Sequence, residues 1–104
     1  MGTRRVNLGL QKIEMNKVVY NSSYGYFNLS EEAEEWLKKH GCTSYERHSP
    51  LLVRCVEELG EKASGPYSRL KIKEITGDKY IIDDYDGKEK VLEPSDIKWI
   101  QIKY

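Results

Sequence analysis

The sequence predicts an α+β fold, two helices packed on a mostly antiparallel sheet in the order β-α-α-β-β-β-β. Three observations carry this. Two amphipathic stretches each open on a serine and close at a glycine. After Ser68 the apolar spacing changes from three or four residues to two. Asp86-Gly87 then gives a strong two-residue hairpin signal.

The elements follow in order. Lys17-Val18-Val19-Tyr20 reads as a strand, since β-branched and aromatic residues fit a pleated surface. The stretch from Asn21 to Asn28 mixes rings with Asn, Ser and Gly, which bend the chain into a loop. Ser30 caps the first helix, Glu31, Glu32, Glu34 and Glu35 favour its positive end, and Lys38, Lys39 and His40 favour its negative end. Gly41 is the left-handed stop. Ser49 and Pro50 open the second helix, in which Leu52, Val56, Leu59 and Ala63 share a face. Ser64-Gly65-Pro66 ends it. Strands follow over 70–73, 79–84 and 89–92, and a last one over 99–102 is expected to close the sheet at an edge. The expected core is Leu37, Leu52, Val56, Leu59, Leu70, Ile72, Ile82 and Val91, with Trp36 and Trp99 in the core or at an interface.

A chain of 104 residues builds one core. Residues 15–104 are expected to form a single α+β domain. Residues 1–14 read as an N-terminal extension upstream of a natural start at Met15, with a short strand through Val6, Leu8 and Leu10 as the alternative. Seventeen basic and seventeen acidic residues cancel, and no segment has the sustained basic excess of a protein that lives on phosphate backbones. Duplex nucleic acid is therefore not an expected partner. A mean hydropathy of −0.71, with no apolar run of spanning length, argues against a membrane partner. No secretory signal follows Arg4 and Arg5, so a reduced, cytoplasmic protein is expected, with Cys42 and Cys55 unpaired.

His40, Cys42, His48 and Cys55 match none of the usual zinc spacings, and no metal or other cofactor is expected. Asp84, Asp86, Gly87 and Glu93 fall on part of a calcium-loop template, but Ile82 stands at its first position and the flanks read as strands. A Cys42/His48 nucleophilic pair is generic, and nothing near it resembles a nucleophile elbow, so an enzyme has no positive support.

Two segments point to binding. Tyr20, Asn21, Ser23, Tyr24 and Phe27 combine flat rings with short hydrogen-bonding side chains, suited to a base or ribose. Arg47 and His48 precede a helix N-terminus, where amides and dipole already favour an anion. Together they would be the two halves of a nucleotide site. The bland alternative has Arg47 and His48 paired with Glu31–Glu35 or lying in solvent.

The motif Tyr20-Asn21-x-x-Tyr24-Gly25-x-Phe27-x-Leu29-Ser30 continues with Arg47-His48-x-Pro50, Val56 to Gly60, Tyr85-Asp86-Gly87 and Pro94-x-Asp96-Ile97-x-Trp99. Over residues 15–102 this resembles a family of small, functionally uncharacterised proteins of phages and large DNA viruses. That family usually has a second glycine where this chain has Tyr26, and its members start at the equivalent of Met15. The resemblance implies a viral accessory protein acting in the host cytoplasm. The expected function is to bind and sequester a nucleotide-derived defence signal without catalysis. The alternative is an inhibitor that covers a host defence protein, of anti-defence or anti-CRISPR type. A domain this small rarely encloses a nucleotide alone, so a homo-oligomer is expected, with the edge near 98–104 and the tyrosine-rich surface as candidate contacts.

Overall fold

The computed structural model describes residues 15–103, so the expected extension at 1–14 lies outside the described residues. β1 (Asn16–Asn21) pairs antiparallel with β2 (Leu70–Ile75), and two helices, α1 (Glu31–Lys39) and α2 (Pro50–Leu59), lie between them in sequence. β3 (Ile81–Tyr85) and β4 (Lys88–Leu92) form a second antiparallel ribbon. The fold is α+β, as the sequence predicts, but the strands form two ribbons rather than one sheet.

Local chemistry accounts for the helix ends. The Ser30 hydroxyl accepts from the Ala33 amide at 3.0 Å, and Gly41 leaves α1 at φ +76°. Ser49 precedes Pro50 in an extended conformation, but its hydroxyl accepts from the Glu46 amide at 2.7 Å instead of from its own helix. A 3₁₀ turn, Gly60–Ala63, finishes α2.

β1 is covered on both faces. Successive strand side chains point to opposite sides, and Val18 and Val19 are both fully buried. Val19 faces the helices with Leu29, Ala33, Leu37, Leu52, Val56 and Leu70. Val18 faces the second ribbon with Ile75 and Val91, flanked by Tyr20, Tyr80 and Ile82. The β1–β2 ribbon is thus the middle layer between the helices and β3–β4. Of the expected core, Leu37, Leu52, Val56, Leu70 and Val91 are buried, while Leu59, Ile72 and Ile82 are half-buried at its margins.

The expected last strand does not form. Residues 97–103 carry no ladder, and Trp99, Ile100 and Ile102 are 77%, 95% and 71% exposed. The turn before them explains this. Glu93 and Asp96 cap a 3₁₀ turn reciprocally, and Glu93 also accepts from the Thr76 amide at 3.0 Å. Meanwhile Lys73 donates to the Val91 carbonyl at 3.0 Å, on the flank of β4 where a following strand would pair. Trp99 is therefore not core, whereas Trp36 is half-buried against α2, its indole N–H donating to Glu58.

Candidate functional site

The loop after β1 is built around Asn21. This side chain is fully buried, and every polar atom on it is engaged. Its Nδ2 donates to the carbonyls of Ser23 (2.8 Å) and Gly87 (2.7 Å). Its Oδ1 accepts from the amides of Ser23 and Arg69 and from the Ser23 hydroxyl. Asn21 and Ser23 thus tie β1, the start of β2 and the β3–β4 turn together, and offer a ligand little. The loop crest is held the same way. Gly25 donates to the Asp86 carbonyl and Tyr26 to the Tyr67 carbonyl. Gly25 sits at φ +124°, a conformation open only to glycine, with the Tyr67 carbonyl where a Cβ would stand.

Arg47 turns inward. Its guanidinium grips Glu89 with both terminal nitrogens, at 2.6 and 3.0 Å, and lies 3.7 Å from the centre of the Phe27 ring. Glu89 is buried and also accepts from the Asn21 amide at 2.9 Å. The Arg47 carbonyl accepts from the Val19 amide at 2.8 Å. The β1 edge facing away from β2 is thereby closed by one loop carbonyl and one ion pair, and its buried donors are satisfied. Arg47 pairs with Glu89 rather than with Glu31–Glu35, and Phe27 has a guanidinium on its face.

His48 goes elsewhere. Its Nδ1 lies 2.7 Å from the Tyr80 hydroxyl, and the two rings meet edge to face. They line a small cavity of about 220 Å³ with Asn16, Ile75 and Asp78. Burial, and then the Glu46 carboxylate, push the Tyr80 phenol above its ordinary range. Arg47 and His48 are neighbours in sequence but serve different partners, so the structure does not join them into one anion cradle.

One space open to a ligand lies across the ribbons. Tyr20 and Ser22 of the first ribbon's side and Lys73, Lys88 and Lys90 border an open basin of about 490 Å³, whose lining also includes Asp96 and the Arg47-paired Glu89. Lys88 reaches over the ring of Tyr24, 5.2 Å from its centre, and so connects that exposed ring to the basin. Lys73 is partly held by Asp96 at 3.7 Å; among the described residues Lys88 and Lys90 have no carboxylate partner. The arrangement can neutralise an anion and present aromatic faces beside it. Of the sequence-predicted residues it uses Tyr20 and, through Lys88, Tyr24. The lysines were missed. Their signal was present as the alternations Lys71-x-Lys73 and Lys88-x-Lys90, which place charges on one face of a strand.

Among the described residues no group of three or more His, Cys, Asp or Glu side chains could hold a metal ion. Cys42 and Cys55 are free, and burial pushes the Cys55 thiol up, which keeps it protonated and unreactive. No described helix is long and apolar enough to cross a membrane. The fold and site together define a small α+β domain with an open lysine–tyrosine basin. Comparison with protein-family models, curated proteins and solved structures finds no match.

Proposed function

We propose that this protein is a non-catalytic binding module, a viral accessory protein of phage type that sequesters a nucleotide-derived signalling molecule in the host cytoplasm. The observation that carries the reading is the convergence of Tyr20, Lys73, Lys88 and Lys90 on one basin, with Lys88 bridging to the Tyr24 ring. Phosphate would sit among the ammonium groups, and a base would lie on an exposed tyrosine. This moves the phosphate half of the site from Arg47 and His48, which have internal partners, chiefly to Lys88 and Lys90, which face solvent, with the half-buried Lys73 beside them.

Thermal shift against a panel of cyclic and linear nucleotides tests it. A ligand at one hundred times its dissociation constant stabilises by about 2.7 kcal/mol. The shift should disappear in Lys88→Ser/Lys90→Ser. A panel that moves neither protein rejects the reading.

A second reading, a protein that covers a host defence enzyme, is favoured by one other observation. Tyr24, Tyr26, Tyr67 and Tyr85 are all exposed at the end where the loop meets the two turns, and Tyr26 stacks on Tyr67 at 5.1 Å. Rings held this way lose little entropy on docking and suit a protein hot spot. Loss of host-protein binding in Tyr26→Ala/Tyr67→Ala, with the nucleotide shift intact, would identify this face as the active one.

A further inference from the structure

Among the described residues the second ribbon leaves one edge open, and the chain carries a segment suited to it. Because Asp86 and Gly87 both have positive φ (53° and 87°), the hairpin has a two-residue turn flanked by the pair Tyr85–Lys88. Tyr85, Asp83 and Ile81 therefore bond to β4, and the backbone groups of Asp84 and Ile82 point away from it. Among the described residues no strand lies along that side. Ile81 and Tyr85, on the open face of β3, are 50% and 72% exposed.

Residues 98–103 read Lys-Trp-Ile-Gln-Ile-Lys, with Ile100 to Lys103 alternating as a strand does and Trp99 on the face opposite the two isoleucines, yet they pair with nothing described. Their charge complements β3. Lysines stand at both ends of the segment, while Asp83, Asp84 and Asp86 give β3 and its turn an acidic border. The basin along β4 sets three lysines against Glu89, already paired with Arg47, and Asp96, a positive surplus that disfavours the same segment.

We propose that the C-terminal segment of one copy adds as an antiparallel strand to the β3 edge of a second copy, each copy giving its segment and receiving the other's. Setting Ile102 against Ile82 and Ile100 against Asp84 aligns the ladder groups. Trp99 then falls beside Tyr85, and Lys98 beside Asp86. Ile102 extends the apolar face of Ile82, and a two-stranded ribbon, marginal alone, becomes three-stranded. The occupant must be another copy. To lie antiparallel to its own β3, the segment would run parallel to its own β4. Such a crossover needs a dozen or more residues, and residues 93–97 are a short capped turn.

Light scattering across micromolar concentrations tests this on the full chain and on a chain ending at Asp96. The full chain should be a dimer, and the shortened one a monomer with the same far-ultraviolet circular dichroism. Lys98→Glu should weaken the dimer about tenfold. Tyr85→Cys/Trp99→Cys places thiols at a non-hydrogen-bonded pair, where the Cα atoms approach about 4.5 Å, and mild oxidation should link two chains covalently. A full chain that stays monomeric, a shortened chain that still dimerises, or a disulfide between the two introduced thiols formed within one chain would each overturn the proposal.

Discussion

Arg47 and Glu89, 42 residues apart, meet through two hydrogen bonds above the Phe27 ring, and between them close the free edge of β1. Glu89 is the more buried partner, 4% exposed against 26% for Arg47, so the pair's energetics turn on leaving that carboxylate alone. Arg47→Ala should destabilise the fold by about 3 kcal/mol, the usual consequence of stranding a buried charge. Arg47→Met/Glu89→Leu should recover part of this, but not all, because the Asn21 amide still loses its acceptor. Urea denaturation checks both. An unchanged midpoint for Arg47→Ala would refute the structural role.

Asn21 should be among the least replaceable residues outside the apolar core. Asn21→Ala strips partners from the amides of Ser23 and Arg69 and the carbonyls of Ser23 and Gly87. An expected loss of about 3 kcal/mol follows from unpaired polar groups at about 1–3 kcal/mol each. Asn21→Asp should be nearly as harmful, since it replaces a double donor facing two carbonyls by an acceptor. Thermal melting of the two variants distinguishes this from a volume effect.

Glycines in the left-handed region should divide by what surrounds them. Gly41 has open space where a Cβ would go, so Gly41→Ala should cost only the backbone term, about 1 kcal/mol. At Gly87 a Cβ would collide with the Gly25 backbone, and Gly87→Ala should cost more than twice as much. Equal melting points for the two variants would contradict the close approach of loop and turn.

Alkaline stability should report on Tyr80. Its folded phenol is raised, by burial first and by Glu46 second, above the ordinary value of 10.0. The native state therefore keeps a proton that the unfolded chain releases. The associated stability is present below about pH 10 and is lost as pH rises through the higher folded value. Tyr45 is raised in the same direction, mainly by burial. Tyr80→Phe should flatten the fall in urea midpoint above pH 10 relative to the parent. A parallel fall in both proteins would show that the phenol does not contribute.

What could be read ahead of the structure was local. Ser30, Gly41, Pro50 and the Asp86-Gly87 turn act within a few residues of themselves, so composition and spacing reveal them. The layering was legible too, though missed: Val18 and Val19 are consecutive, and two adjacent apolar strand residues require cover on both faces. The Arg47–Glu89 pair carries no such mark, because an Arg and a Glu far apart in a chain with seventeen acids have many equivalent pairings. The strand expected over 99–102 had alternating isoleucines but, among the described residues, no free edge within reach of its own chain, a property of topology rather than of sequence. The basin was half seen, its tyrosines from the loop motif, while its lysines looked like ordinary solvated strand charges.

The β1–β2 ladder also sets the order in which the molecule can assemble. Asn16 pairs with Ile75 and Asn21 with Leu70, so the middle layer closes only after both helices have been synthesised and brought round. The β3–β4 hairpin and the helices are local and form on microsecond timescales, whereas the central pairing must first overcome the entropy of a loop of nearly fifty residues. On a ribosome, β1 emerges early and waits without a partner, its two valines exposed, until β2 arrives. Folding should therefore be limited by one long-range encounter, and substitutions that stiffen the route from Ser22 to Arg69 should change the folding rate more than the unfolding rate.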